Sequence, residues 1–250
     1  MFLAKPGEYP PCGIFTLGHL VLFAVTMLIV FFSIIFTKNK EEKNVKKIIR
    51  ISTIIIWILE ILKIAFVFSV GNGGNLNKVV PLYYCSLLLY TGVLSSLGKG
   101  AIKGIGDVFV STGALVAGLV FLIFPTTSLP DYPILHFLSL HSFFYHGLML
   151  YLGIIMHKSK YIEIKKTDIK YYALLILVIS ILAYIVNSMY GSNLMFISED
   201  FPGTPLAIIY KLTGRWFTLV MIGLQMTLPF YIVYWLKLLK DKINIKLIKK

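Results

Sequence analysis

The stretch Ile14–Phe36, IFTLGHLVLFAVTMLIVFFSIIF, contains no charged side chain. An α-helix of this length rises about 35 Å at 1.5 Å per residue. The hydrocarbon core of a bilayer is about 30 Å thick, so the stretch predicts a membrane-spanning helix. It is longer than the apolar core of a signal peptide and lacks an obvious small-residue cleavage site, so we expect it to be retained.

Similar apolar runs recur along the chain. Of its 250 residues, 58% are hydrophobic and 14% are charged, and the mean hydropathy is +0.83. These runs lack the ten-residue alternation of a membrane β-barrel, and backbone groups in lipid must be satisfied within each helix. The sequence therefore predicts an all-α fold, a single membrane domain over 1–250 with seven helices. The predicted spans are 14–36, 49–70, 79–97, 107–124, 134–156, 171–190 and 207–236.

Basic residues orient this bundle. The formal net charge is +13, and 19 of the 24 lysines and arginines lie in the segments 38–50, 98–106, 157–170 and 237–250. The intervening loops carry only Lys5 and Lys78. By the positive-inside rule, the N-terminus is predicted outside and the C-terminus in the cytoplasm of a multi-pass plasma-membrane protein. The charge is thus an orientation signal and a contact for anionic lipid rather than a nucleic-acid site.

Ionisable residues within the spans are candidates for a functional site, because their burial in lipid is costly. In the predicted topology Cys85 and His141 both lie about 10 Å below the outer surface. Glu60 and Lys63 have the i,i+3 spacing of a helical ion pair. The other polar residues predicted at or near the outer half are His19, Asn187, Lys211 and Arg215, although the outer part of the last span, 204–212, is also compatible with an interfacial position.

Each of these residues also has a purely structural interpretation. Cys85 is compatible with a packing residue, His141 with a hydrogen bond to a neighbouring helix, and Glu60 and Lys63 with mutual neutralisation. Packing alone does not require a thiol, an imidazole and an ion pair at one depth. The coincidence favours a polar site in the outer half, where a nearby base would activate the thiol.

The sequence predicts no metal site and no cofactor. His136, His141 and His146 recur at a spacing of five, which does not place them on one helix face as ligands four residues apart would be. The glycine-rich segment 71–75 lacks the Lys-Ser/Thr of a phosphate loop and is interpreted as a connector. Cys12 and Cys85 permit at most one disulfide.

The order of these landmarks resembles the YwaF-like integral membrane proteins, whose animal relative is transmembrane protein 164. The matching pieces cover nearly the whole chain. They are HLVLF from His19, EILK from Glu60, PLYYCS from Pro81, LPDYPILHFLSLH from Leu129, NSMYGSNLMFI from Asn187 and LTGRWFTL from Leu212. The segment Gly191–Phe196, with Asn187 ahead of it, is the most specific of these.

The resemblance implies a seven-helix fold and acyl transfer between membrane lipids, with Cys85 as nucleophile and His141 as general base. Lys63, Asn187 or Asn193 would then hold the oxyanion or the headgroup, in a pocket that His19, Glu60 and Arg215 also line. Membrane lipids are the expected partners. The alternative is a non-catalytic lipid-binding protein or small transporter that holds an anionic ligand against Lys63 and Arg215.

Overall fold

All regular structure in the described part of the chain is helical. The computed structural model describes residues 1–37 and 41–248. Within these residues, six helical segments are long and apolar enough to cross a membrane. The prediction of an all-α, multi-pass membrane protein is therefore confirmed. Lys38, Lys40, Lys249 and Lys250, which contribute to the predicted charge asymmetry, lie outside the described residues.

Eight helices form the bundle in the described ranges. They are α1 (Leu17–Thr37), α2 (Glu42–Ser69), α3 (Leu87–Leu97), α4 (Gly100–Ile123), α5 (Phe137–Lys158), α6 (Ile169–Tyr190), α7 (Pro205–Thr213) and α8 (Phe217–Ile248). A single helical turn, Leu76–Val79, precedes α3. Five of the seven predicted spans match α1, α2, α4, α5 and α6, with α2 and α4 beginning seven residues before their predicted starts.

The predicted third span, 79–97, needs correction. Only its second half is an extended helix, and the 11 residues of α3 rise about 16 Å, roughly half of the hydrocarbon thickness. Residues 80–82 have no regular structure, and residues 83–86 form a bend followed by a turn. Pro81 contributes to the interruption, because proline has no amide hydrogen and disfavours helical geometry in the residue before it.

The predicted seventh span, 207–236, is also interrupted. Helix α7 ends at Thr213, and Gly214 follows with φ 50° and ψ −123°, a conformation that glycine adopts without the steric cost of a side chain. Helix α8 then begins at Phe217. The outer part of this span is thus a separate helix, as its excess length suggested.

The non-helical segment 80–86 is anchored at the interior of the bundle by Tyr84. Helix α4 contains a π-helical turn, Val110–Ala114, and a Cβ atom on Gly113 would lie only 2.7 Å from the Tyr84 hydroxyl oxygen. That hydroxyl also hydrogen-bonds the Tyr172 hydroxyl of α6. The absence of a side chain at Gly113 therefore lets Tyr84 pack between α4 and α6.

The loops meet in two groups at opposite ends of the bundle. At one end, the Cys12 amide donates to the Tyr132 carbonyl at 3.0 Å, and the Asn193 amide donates to Asn77 Oδ1 at 2.8 Å. At the other end, Lys237 Nζ donates to the Ile164 carbonyl at 3.1 Å. The two groups correspond to the alternate loops that the charge distribution separates.

Candidate functional site

Cys85 lies in the turn that immediately precedes α3. The residue is half-buried and unpaired, and its carbonyl accepts a hydrogen bond of 3.2 Å from the Tyr145 hydroxyl of α5. Tyr145 is itself buried. This contact fixes the Cys85 backbone against α5, the helix that also carries His141.

His141 lies one helical turn before Tyr145, on the same side of α5. The two rings are stacked with centroids 6.0 Å apart, and 8% of His141 is exposed. Its Nε2 atom is buried and has no hydrogen-bond partner among the described residues. Since most buried polar atoms in proteins are hydrogen-bonded, this nitrogen is an exception, which it shares with Nε2 of His146 on the same helix.

The Glu60–Lys63 ion pair is present on α2. Lys63 Nζ lies 2.6 Å from Glu60 Oε1, and the Glu60 side chain is buried while Lys63 is partly exposed. The pair is close in distance but lacks hydrogen-bond alignment at Glu60 Oε1, so the contact is chiefly electrostatic. The Lys63 charge is close enough to act on the His141 imidazole, and the Glu60 charge on the Tyr145 hydroxyl.

These five residues, Cys85, His141, Tyr145, Glu60 and Lys63, are called the Cys85 cluster below. Tyr145 contacts both the Cys85 carbonyl and the His141 ring, and Glu60 and Lys63 form an ion pair on α2. A thiol becomes a useful nucleophile when a base or positive field favours its thiolate. Among the described residues, no hydrogen bond joins Cys85 to His141, so activation of the thiol by this imidazole stays a prediction.

Two surface cavities lie away from this cluster. One, of about 350 Å³, lies at the loop end between Asn75, Asn77 and Ser192. The other, of about 300 Å³, lies between α2 and α3. Neither is lined by Cys85 or His141, so a shared cavity that opens at the Cys85 cluster stays a prediction.

Asn187 organises the loop that follows α6. Its Nδ2 donates to the Leu194 carbonyl at 3.0 Å and to Ser198 Oγ at 2.7 Å. Its Oδ1 accepts from Ser192 Oγ and from the Leu194 amide, both at 2.8 Å. All four hydrogen-bonding positions of the buried amide are thus used within residues 187–198, called the Asn187 loop below.

Asn193 makes hydrogen bonds within the same loop and to the residue that follows it. Its Oδ1 accepts from the amides of Ser198 and Glu199, at 3.1 and 3.2 Å, and its Nδ2 donates to the Glu199 carbonyl at 3.1 Å. Two consecutive non-glycine residues, Met195 and Phe196, have φ angles of 58° and 52°. Such left-handed conformations persist only where surrounding contacts enforce them, and here Gln225 Nε2 donates to the Met195 carbonyl at 2.7 Å.

His19 and Arg215 lie outside the Cys85 cluster. His19 is buried, its Nδ1 accepts from the Phe15 amide at 3.0 Å, and its Nε2 lies 3.0 Å from the Leu122 carbonyl. Both ring nitrogens are therefore engaged between α1 and α4. Arg215 is exposed in the turn between α7 and α8, where its Cζ atom lies 5.4 Å from the centroid of the Trp216 ring.

Sequence reasoning missed two residues that connect these regions. Tyr145 binds the Cys85 carbonyl, and its position four residues after His141 was a signal that both share one helix face. Asn77 is the second, since its Oδ1 accepts from the Tyr83 hydroxyl at 3.1 Å as well as from the Asn193 amide. No sequence spacing indicates that connection, because Asn77 and Asn193 lie far apart in the chain.

Over the described residues, no group of three or more histidines, cysteines or carboxylates is arranged to hold a metal ion.

Comparison with known proteins supports one assignment. No curated protein and no solved structure matches the chain significantly. The model of the TMEM164 family matches residues 14–238, which include every helix up to the middle of α8. The chain therefore belongs to the TMEM164 family.

Proposed function

We propose that this protein is a membrane-embedded lipid acyltransferase that uses Cys85 as nucleophile and His141 as general base. The observation that carries the proposal is the Tyr145 contact. It holds the Cys85 carbonyl at 3.2 Å against the helix on which His141 presents an unpartnered Nε2. The acyl transfer implied by the resemblance to the animal relative of this family supports the choice of reaction.

The proposed reaction has two halves. His141 Nε2 takes the Cys85 thiol proton, and the thiolate attacks the ester carbonyl carbon of a donor lipid, so that a C–S bond forms. The ester C–O bond then breaks, and the protonated His141 returns the proton to the leaving lipid alkoxide. In the second half, His141 takes a proton from an acceptor hydroxyl, and that oxygen forms a new C–O bond to the thioester carbonyl carbon. The C–S bond then breaks, and the protonated His141 returns the proton to the Cys85 thiolate. Water as acceptor would give hydrolysis.

The charged residues are assigned supporting roles. Lys63 would neutralise the oxyanion or a lipid phosphate, and Glu60 would hold Lys63 in place through the ion pair. Arg215, exposed at the turn before α8, would contact a headgroup from the surface. Asn187 and Asn193, whose amide groups are engaged in the Asn187 loop, and His19, bonded at both nitrogens, would shape the site rather than bind substrate directly.

The proposed topology has seven crossings of the plasma membrane, with the N-terminus outside. The charge asymmetry of alternate loops supports this orientation. Residues 80–97 would supply the third crossing as a non-helical half followed by α3. Non-helical backbone is tolerated at membrane depth where protein covers it, and residues 80–86 are partly buried. Cys85 would then lie in the outer half.

A non-catalytic lipid-binding protein or small transporter is the second candidate. The observation that favours it is the Glu60–Lys63 pair, in which Glu60 is buried and Lys63 partly exposed, because intramembrane ion pairs also occur along substrate pathways. Such a protein would hold an anionic lipid without covalent chemistry. The two candidates differ in whether the Cys85 thiol itself is needed.

The test measures lipid product and thermal stability together in four variants. We expect Cys85→Ser and His141→Ala to fold normally and to lose at least about 100-fold in product formation, since positioned acid–base groups contribute 10²–10⁴-fold. The double variant should be little worse than either single one, because residues that act as a unit are non-additive. His157→Ala, which removes a contact to the Ser111 carbonyl at the basic end, is the control. A folded and fully active Cys85→Ser protein would refute the proposal.

A further inference from the structure

A groove runs along the exposed side of α2 and α3, away from the Cys85 cluster. Its volume is about 300 Å³. The α2 residues that line it recur at helical spacing, which places them in one stripe parallel to the helix axis. They are Arg50, Thr53, Ile54, Trp57, Ile58 and Ile61. The stripe extends about 16 Å from Arg50 to Ile61.

The floor of this groove is apolar because its polar groups are engaged elsewhere. Thr53 Oγ1 donates to the Ile49 carbonyl at 2.7 Å, and Trp57 Nε1 donates to the Leu89 carbonyl at 3.0 Å. The walls at Ile54, Ile58 and Ile61 are exposed. A narrow apolar slot of this direction fits a hydrocarbon chain that lies along the membrane normal.

The end of the groove near the basic loops carries a positive charge. Arg50 is exposed, and its Nη2 donates to the Ser96 carbonyl at 3.2 Å. A guanidinium has five N–H donors in a planar fork, so this contact orients the group and leaves donors for a further acceptor. Lys46 and Lys47 precede it on α2. The position matches the cytoplasmic sites where basic side chains between helices bind anionic headgroups.

We propose that this groove binds one anionic glycerophospholipid of the cytoplasmic leaflet. Its phosphate contacts Arg50, and one acyl chain lies along the slot past Trp57. The charge at one end and the apolar stripe beyond it select a lipid over a soluble anion, which would gain nothing from the slot. The site is independent of acyl transfer at Cys85, because it lies on another face of α2 from the Glu60–Lys63 pair and needs no covalent step.

The test uses the fluorescence of Trp57 in the full-length protein. Replacing the other two tryptophans, Trp216→Phe and Trp235→Phe, leaves Trp57 as the reporter. The protein is reconstituted in phosphatidylcholine vesicles, into which phosphatidylglycerol or phosphatidylcholine with brominated acyl chains is titrated. Bromine quenches a tryptophan that it contacts. We expect about fivefold preferential quenching by the brominated phosphatidylglycerol, the effect of one basic residue near an anionic headgroup.

Two variants and a control decide the outcome. Arg50→Gln should abolish the preference, and Val93→Phe, which fills the slot from α3, should reduce quenching by both lipids. Lys166→Gln removes an exposed charge at the same end but outside the groove and should change neither. Equal quenching by the two lipids, or an unchanged preference in a folded Arg50→Gln protein, would overturn the proposal. So would a lack of quenching by either lipid, which would mean that protein covers the groove.

Discussion

The Asn187 loop and the Cys85 cluster are neighbouring polar regions that use their hydrogen bonds in opposite ways. In the Asn187 loop, the Asn187 amide makes four hydrogen bonds. In the Cys85 cluster, His141 Nε2 has no partner among the described residues. Asn77 joins the Asn187 loop to the segment before Cys85, because its Oδ1 accepts from the Asn193 amide and from the Tyr83 hydroxyl. The Asn187 loop is therefore satisfied by its own hydrogen bonds, whereas the Cys85 cluster contains a buried nitrogen without a partner among the described residues.

The largest expected effect on stability concerns the Asn187 loop. Asn187→Leu would remove four hydrogen bonds and leave buried groups of Ser192 and Leu194 without partners. Unsatisfied buried groups cost about 1–3 kcal/mol each, so we expect a loss of about 3 kcal/mol in the free energy of unfolding. Thermal denaturation in detergent measures it, with Ser188→Ala, an exposed neighbour, as the control. A melting temperature like that of the wild type would show that the loop does not depend on Asn187.

A smaller effect, on product formation, is expected from loss of the Tyr145 contact in the Cys85 cluster. Tyr145→Phe removes the hydrogen bond to the Cys85 carbonyl and keeps the ring beside His141. A neutral hydrogen bond contributes about 1 kcal/mol, and displacement of the thiol should lower product formation about tenfold, since catalysis depends strongly on position. Product assays at equal folded protein test this. An unchanged rate of product formation would show that Tyr145 does not position Cys85 for the reaction.

The smallest effect is expected at the basic end. Lys237 Nζ lies 3.0 Å from Glu163 Oε1, and this contact lowers the pKa of the Glu163 carboxyl. Stability from a lowered carboxyl pKa is present at neutral pH and is lost as the pH falls through the folded-state value. Because Glu163 is exposed, we expect Glu163→Gln and the wild type to melt together at pH 7 and at pH 4. A clear difference at pH 7 that disappears at pH 4 would show that the pair stabilises the fold.

Sequence predicted the parts of this fold that depend on composition or on local spacing. Uninterrupted apolar runs gave α1 and α6 nearly to their ends, and the i,i+3 spacing gave the Glu60–Lys63 contact. The third span was less predictable, because hydropathy does not register a break among apolar residues. That break is held by tertiary contacts of Tyr83 and Tyr84 with Asn77 and Tyr172.

For the candidate site, sequence depth suggested which residues to group, but it did not indicate their hydrogen-bond partners. Equal depth brought Cys85 and His141 into one hypothesis, and the Tyr145 contact places their segments against each other. The partners of Asn187, Asn193 and His19 were not predictable, because an amide or imidazole near the end of a span has the same appearance in sequence whether it binds a ligand or a loop. The sequence left Arg215 open between the bundle and the interface, and the break at Gly214 places it in an exposed turn.

The central claim is that the Cys85 thiol carries an acyl group in turnover. Its most direct test is intact-mass and peptide mass spectrometry of the purified protein after incubation with a phospholipid donor and without an acceptor. The account predicts a hydroxylamine-sensitive acyl thioester on Cys85, strongly reduced in His141→Ala, with Cys12 of the same molecule unmodified as an internal control. An unmodified Cys85 in a preparation that forms product, or equal acylation of Cys12 and Cys85 that is indifferent to His141→Ala, would contradict it.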